Sequence, residues 1–314
     1  MAARHGWMTR RSFLAAGAAT LAVPLVAACS SDDGGDVSAA EGGDDHGGGH
    51  GEAFGEATGA AVLTAVFDRS TYAVTGAEQR LPLAIRDAQG QPELEGPDEL
   101  TVVVRDADGA PVGEPVVVAR HDDGVPLPFY PLRTTFPAVG DYELVTDLGE
   151  GEVAVPLQVS EPGSTPLLGV GDALPAQETP TVDDDRGVVP VCTRFPDPCP
   201  LHDRSLTAVE GDGTPTVLMV GTPAYCHIGV CGPVLELLLE AMPAHPGATY
   251  LHAEVYRDAE EVGVERATPA PIVGAMGLSF EPSLFVADAD GIIVDRLDFV
   301  FDATEIEAAL AKVA

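Results

Sequence analysis

"TVLMVGTPAYCHIGVCGPVLELL", residues 216–238, joins an apolar run to a leucine-rich run through a segment with two cysteines. The continuous apolar run predicts a β-strand that is buried on both faces. Pro233 has the fixed φ and the missing N–H that suit the first position of a helix. The apolar residues after it repeat at helical spacing. The stretch therefore predicts a strand, a loop and a helix beginning near Pro233, with Cys226 and Cys231 both before its first turn.

The spacing of these two cysteines limits where they can be bonded. Residues five apart in a regular helix point about 140° apart and are separated by about 7–8 Å along its axis, so a Cys226–Cys231 disulfide would not form within a helix. In a loop folded over the helix N-terminus it could form. The unpaired N–H groups and the helix dipole at that place favour a thiolate and lower a thiol pKa. The pair is therefore a candidate for redox chemistry, for metal binding or for a structural bond.

The elements that follow indicate an α/β fold. A second strand, a short helix, a two-stranded hairpin and a last helix are predicted over 248–256, 269–278, 282–300 and 303–313. The hairpin turns at Asp290-Gly291, a dipeptide typical of such turns. Asp302 with Glu305 three residues later resembles a capping box at the start of the last helix.

The segment VLMVGTPAYC (217–226), placed before a helix, resembles the strand and active-site turn of thioredoxin-like proteins. By this resemblance Cys226 is the nucleophile. FEPSLFVADADGIIVDR (280–296) resembles the segment that bears the family's cis-proline, which would be Pro282 and would shape the substrate groove.

The resemblance departs from the family in the spacing of the cysteines. CGPV (231–234) repeats the Cys-Gly-Pro part of the thioredoxin motif but has valine where the second cysteine would stand, so the pair is Cys-x4-Cys and not Cys-x2-Cys. The likeness covers 210–314 and implies an α/β thioredoxin-like domain, which we assign to residues 161–314.

Three hypotheses remain open for the Cys226/Cys231 pair. In the first, one cysteine attacks as a thiolate and the other resolves the mixed disulfide. In the second, the pair is a fixed bond on a thioredoxin-like binding module. In the third, the sulfurs and a histidine such as His227 hold Cu(I), as in the copper-delivery members of the superfamily. Those proteins carry a further histidine before the later strands, and residues 257–281 contain none. No cofactor is predicted.

A second pair of cysteines lies in the proline-rich loop VCTRFPDPCPLHD, residues 191–203. Prolines stiffen the chain around Cys192 and Cys199, and rigid surroundings favour a permanent structural disulfide. The alternative is a second redox pair that relays electrons to the first. His202 could act as a base or a metal ligand, but a lone histidine in such a loop is usually a surface residue.

Residues 59–160 predict an all-β domain. Several short runs alternate apolar and polar residues between turn signals, as half-buried strands do. Strands at this regularity indicate an immunoglobulin-like β-sandwich, and residues 121–144 resemble the late part of such modules in secreted bacterial proteins. His121, Phe129 and Tyr130 could line a binding edge, although core or turn positions are the more usual place for such residues.

The N-terminus predicts export. Residues 9–14, with paired arginines, resemble the twin-arginine signal of bacteria, and the short apolar stretch after them has the length of a signal peptide core. Residues 26–29 resemble the lipobox of bacterial lipoproteins, in which Cys29 is lipidated. We therefore expect a signal peptide over 1–28 and acyl chains that tether the protein to the membrane.

Residues 29–58 are rich in glycine and acidic residues and predict a disordered linker. His46 and His50 could hold a metal ion weakly, but an unstructured segment must lose chain entropy to gather ligands.

Composition limits the partners. The 314 residues include 16 Lys+Arg against 50 Asp+Glu, for a formal net charge of −34. Nucleic acid and anionic lipid headgroups are therefore poor partners. The favoured prediction is a thiol–disulfide oxidoreductase at the outer face of the cytoplasmic membrane, acting on thiols or disulfides of exported proteins. The alternatives are a binding module with structural disulfides and a copper-delivery protein.

Overall fold

The computed structural model describes residues 61–314. The predicted signal peptide, Cys29, the linker and its two histidines lie outside these residues. The strands β1 to β12 are, in chain order, Val62–Ala65, Ala73–Val74, Gln79–Arg86, Glu99–Asp106, Val116–Ala119, Tyr130–Thr134, Gly140–Asp147, Glu152–Ser160, Thr216–Val220, Thr249–Ala253, Ser283–Ala287 and Ile293–Asp298. The helices α1 to α4 are Cys231–Ala241, Ala259–Val262, Pro271–Met276 and Ala303–Leu310.

The first eight strands form a β-sandwich, as the sequence predicts. One sheet has the order β1-β3-β6 and the other the order β2-β8-β7-β4-β5. All neighbours are antiparallel except β2 and β8, which run parallel. The buried side chains of both sheets make one core, which includes Leu81, Leu83, Val102, Leu132, Leu144 and Leu157. Alternate residues of each strand therefore face this core, as in sheet-on-sheet packing.

The last four strands form a third sheet with the order β10-β9-β11-β12. β9 and β10 are parallel, whereas β11 is antiparallel to both β9 and β12. Every residue of β9 is buried. Alternate residues of β9 pack with α1 and α4 on one face of the sheet and with α3 on the other. The predicted two-sided burial of this strand is confirmed.

A buried arginine joins the sandwich to the C-terminal part of the chain. Arg80 on β3 is 5% exposed, and its guanidinium donates to both carboxylate oxygens of Glu305, at 2.7 and 2.5 Å. It also donates to the carbonyls of Asp298 and Val300, at 2.9 and 2.5 Å. A charge removed from water needs such partners, so β3 is held against the start of α4.

Further contacts surround this ion pair. The Tyr72 hydroxyl donates to the Asp298 carboxylate at 2.6 Å, and His121 Nδ1 lies 2.9 Å from Asp302 Oδ2. Phe299 packs into the core of the sandwich. The sandwich and the third sheet therefore belong to one compact unit.

The start of α1 differs from the prediction. The helix begins at Cys231 and not near Pro233, so only Cys226 precedes its first turn. Its first backbone hydrogen bond runs from Val234 N–H to Val230 O, at 3.0 Å. The first N–H groups of a helix have no partner inside it, so Pro233 loses no hydrogen bond at the third position. The apolar pattern thus predicted the helix correctly, but the proline did not indicate its first residue.

The last helix is capped as predicted, but by one side chain and not two. The Asp302 carboxylate accepts a hydrogen bond from Glu305 N–H at 3.0 Å. The Glu305 side chain does not complete a capping box, because it is the partner of Arg80.

Phe129 and Tyr130 are buried, which confirms their predicted core positions. Within residues 61–314, no helix has the length and apolar character that a membrane crossing requires.

Candidate active site

The Cys226–Cys231 disulfide lies where β9 ends and α1 begins. Cys226 is in the loop that follows β9, and Cys231 is the first residue of the helix. Their Cα atoms are 5.9 Å apart, within the range of ordinary disulfides. Cys226 is outside the helix. The large separation between residues five apart in a regular helix therefore does not apply to this pair.

The two sulfurs differ in their access to solvent. Cys231, the first residue of α1, is 0% exposed. Cys226 is half-buried and lies next to the exposed loop residues 227–229. Cys231 N–H points at Cys226 Sγ across 3.3 Å. An N–H group at a helix N-terminus stabilises negative charge on a sulfur that accepts from it. Cys226 is thus the accessible sulfur and the one placed to carry charge.

A buried carboxyl group lies behind the disulfide. Glu281 Oε2 is 3.5 Å from Cys231 Sγ and accepts a hydrogen bond from Thr222 N–H at 2.7 Å. The other carboxylate oxygen, Oε1, is buried without a hydrogen-bond partner. Burial raises the pKa of Glu281 from 4.5 to about 7, opposed by the Thr222 hydrogen bond and helped by the nearby charge of Glu254. This carboxyl can therefore gain or lose a proton near neutral pH.

Pro282 follows Glu281 in the chain and directly precedes β11. The peptide bond before it is cis, and the residue is buried. Gly221, directly after β9, lies beside both Pro282 and Cys231: a Cβ at this position would lie 3.3 Å from Pro282 Cβ, a tight contact, and 3.6 Å from Cys231 Cβ. The predicted site residues Cys226, Cys231 and Pro282 are thus brought together by the pairing of β9 with β11.

The other predicted site residues lie elsewhere. His227 is exposed in the loop, and the cluster of potential ligands around the disulfide, within residues 61–314, consists of Cys226, Cys231 and Glu281. Cys192 and Cys199 are buried free thiols. The predicted Cys192–Cys199 disulfide is therefore not formed in the structure. Both sulfurs lie near His252 Nδ1 instead, at 3.7 and 3.4 Å.

Two residues of these clusters were missed by the sequence analysis. Glu281 directly precedes the proline singled out by the resemblance, and its position there is the only signal that could have drawn attention to it. His252 is one residue of an apolar strand, where a histidine is unusual. His202 was expected at the surface, but it is 1% exposed and lies against His252.

Comparisons with known proteins add little to this geometry. No protein-family model matches the sequence, and no curated protein is similar to it. Among solved structures, the Lin-41 filamin domain is similar to part of this chain. The alignment covers 31% of this chain and 90% of the filamin domain, at 17% sequence identity and a TM-score of 0.23.

Proposed function

We propose that this chain is a thiol–disulfide oxidoreductase that uses the Cys226–Cys231 pair in a thioredoxin-like domain. The observation that carries the proposal is the asymmetry of the disulfide. The sulfur of Cys226 is accessible and accepts a hydrogen bond from an N–H group at the N-terminus of a helix. The sulfur of Cys231 is buried beside the Glu281 carboxyl, whose pKa is raised. A reactive disulfide needs one sulfur that a partner thiol can reach and one that leaves as a stabilised thiolate.

The arrangement of the third sheet supports the thioredoxin-like interpretation. Its order is β10-β9-β11-β12, and the chain passes through α1 between two parallel strands before a hairpin and a terminal helix. That is the element order implied by the resemblance of residues 217–226 and 280–296. The disulfide stands at the carboxyl end of β9, an edge where α/β sheets commonly bind ligands.

The reaction begins at Cys226. A thiolate of a client protein attacks Cys226 Sγ, a bond forms between the two sulfurs, and the Cys226–Cys231 bond breaks with Cys231 leaving as a thiolate. A second client thiolate then attacks the client sulfur of the mixed disulfide and releases Cys226. The client loses two electrons and gains a disulfide, and the Cys226/Cys231 pair gains the same two electrons. The reverse sequence reduces a client disulfide.

Glu281 supplies the proton for the buried sulfur. When Cys231 leaves, its thiolate is enclosed and has little water to stabilise it. The Glu281 carboxyl, 3.5 Å away, can give its proton to this sulfur and accept it again when the disulfide reforms. A pKa near 7 suits both transfers, because the donor and acceptor forms are then both populated at neutral pH.

The cellular setting is part of the same proposal. The twin-arginine and lipobox-like segments favour a lipoprotein tethered through Cys29 at the outer face of the cytoplasmic membrane, with residues 29–58 as a spacer. Thiols and disulfides of exported proteins are the substrates that such a position offers.

The test measures the reduction potential of the Cys226/Cys231 pair in the full chain. The chain is equilibrated with thiol–disulfide buffers, and the alkylated peptide that carries both cysteines is quantified by mass spectrometry. We expect a potential above about −300 mV, since fixed structural disulfides lie below that value. The variant Cys231→Ser should also form mixed disulfides with a client that carries a disulfide: the Cys226 thiolate attacks one client sulfur, the other client sulfur leaves as a thiolate, and no Cys231 thiol is present to release the client. Cys226→Ser should not form them.

The control is Glu240→Gln, which changes an exposed residue of α1 and should leave the potential unchanged. A potential below about −300 mV, together with no mixed disulfide in either variant, would show that the bond is a fixed structural one.

A further inference from the structure

A second cluster of sulfur and nitrogen atoms lies outside the disulfide site. The thiols of Cys192 and Cys199 and the imidazole of His202 come from one loop, and His252 comes from β10. All four residues are buried, and their potential ligand atoms lie within 4.8 Å of one another. Four convergent ligands without access to bulk water are typical of a closed, structural metal site.

Three distances within the cluster, all measured from His252 Nδ1, are close to the edges of a tetrahedral zinc site. Zn–S bonds of about 2.3 Å and Zn–N bonds of about 2.0–2.1 Å place sulfur and nitrogen ligands about 3.6 Å apart and two nitrogens about 3.4 Å apart. Here His252 Nδ1 is 3.7 Å from Cys192 Sγ and 3.4 Å from Cys199 Sγ. The distance from His252 Nδ1 to His202 Nε2 is 3.2 Å.

Hydrogen bonding alone does not account for this crowding. His252 Nε2 lies 2.9 Å from Gly221 O, so in the neutral imidazole Nε2 carries the proton and Nδ1 presents a single lone pair. Two thiols and the Nε2 atom of His202 surround that lone pair, yet the lone pair can accept only one hydrogen bond. A cation at the centre would instead use one lone pair from each of the four groups.

The groups around the cluster are those that support metal ligands. A ligating histidine usually donates its other N–H to a carbonyl, as His252 does to Gly221 O. Cys199 N–H points at Cys192 Sγ across 3.4 Å, which stabilises a thiolate there. His202 Nδ1 is buried without a hydrogen-bond partner, so His202 lacks the second contact that His252 has, and its ring is held by packing against His252.

We propose that Cys192 Sγ, Cys199 Sγ, His202 Nε2 and His252 Nδ1 bind one Zn²⁺ ion. Two thiolates and two neutral imidazoles are a frequent donor set of structural zinc. The thiols lose their protons on binding. The ion fixes the loop at 192–202 against β10 and, through the hydrogen bond from His252 to Gly221, fixes the turn that leads to the disulfide. This proposal is independent of the redox function.

The first experiment measures zinc content. The full chain is reduced without oxygen, exposed to Zn²⁺, desalted and analysed by plasma mass spectrometry. We expect one Zn²⁺ per chain, and about tenfold less or lower in Cys199→Ser and His202→Ala, which each remove a ligand. The control is the double variant C226S/C231S, which removes two sulfurs outside the cluster and should keep its zinc. Wild-type protein without zinc, or zinc lost only in the control, overturns the proposal.

The second experiment needs no variant and so does not depend on how variants fold. Alkylation of Cys192 and Cys199 in the reduced wild-type chain is followed by peptide mass mapping, with and without Zn²⁺. We expect zinc to slow alkylation of both residues by about tenfold or more, because the ligating thiolates are no longer free. Equal rates in the two conditions, or a Cys192–Cys199 disulfide in the zinc-treated chain, overturns the proposal.

Discussion

Replacing Glu281 with glutamine should remove a pH-dependent loss of stability. The pKa of Glu281 is raised by burial from 4.5 to about 7, so its neutral form is favoured in the folded chain. The stabilising contribution of a raised pKa is fully present below the unfolded value and is lost as pH rises through the folded value. The loss for this group therefore falls between about pH 4.5 and about pH 7.

The magnitude follows from the difference between the two pKa values. At about 1.4 kcal/mol per pKa unit, ionising Glu281 in the folded chain costs about 3 kcal/mol more than in the unfolded chain. Between pH 5 and pH 8, the wild-type free energy of unfolding should therefore fall by about 2–3 kcal/mol relative to that of Glu281→Gln. Glutamine does not titrate, and its carbonyl can still accept the hydrogen bond from Thr222. Glu254 is present in both proteins, so its own contribution largely cancels.

The assay is urea denaturation of the oxidised full chain, followed by circular dichroism at pH 5, 6, 7 and 8. The disulfide stays closed, so no thiol titrates at the site. Glu240→Gln is the matched control, because Glu240 is exposed on α1 and the change removes one carboxyl from solvent. Wild-type and Glu281→Gln curves that run parallel across this range would refute the role given to burial at this position.

Three other perturbations test the fold and the proposed lipid anchor. Arg80→Ala should lower the free energy of unfolding by about 3–5 kcal/mol, because it leaves the Glu305 carboxylate buried without its partner. Arg105→Ala, which breaks an exposed pair with Glu152, should have little effect in the same denaturation assay; equal losses would contradict the first expectation. Gly277→Ala should be more destabilising in thermal melts than Gly113→Ala. Both glycines have positive φ, but only at Gly277 would a Cβ collide with the backbone of a neighbouring segment, at Pro166. Cys29→Ala should move the chain from the membrane fraction to the soluble fraction; a variant that still pellets after carbonate washing would exclude lipid anchoring at this residue.

Local patterns predicted most of the elements that carry the site. The apolar run before Cys226 and the leucines after Cys231 have strong periods, so the strand and the helix follow from the sequence. The first residue of the helix could not be predicted from Pro233, because none of the first positions needs an N–H group and a proline can therefore also stand at the third.

The groups that surround the sulfurs could not be predicted in the same way. Glu281 meets Cys231 only because β11 pairs with β9 in a register that places Ser283 opposite Val220. His252 is fifty residues beyond His202 in the sequence, and they meet only when the loop folds over β10. Stiff prolines around Cys192 and Cys199 favour a fixed geometry, but they do not determine whether a disulfide or a third group provides it.

The Arg80–Glu305 pair has a consequence for how the protein can be divided. Truncation to residues 161–314 would remove Arg80 and Tyr72, and with them the positive charge and the hydroxyl that contact Glu305 and Asp298. It would also uncover Phe299, which packs into the core of the sandwich. The isolated C-terminal fragment would expose apolar surface and carboxylates that have lost these partners, so its solubility and stability would not represent those of the intact chain. The sandwich is thus an internal folding partner of residues 161–314, whatever else it contacts.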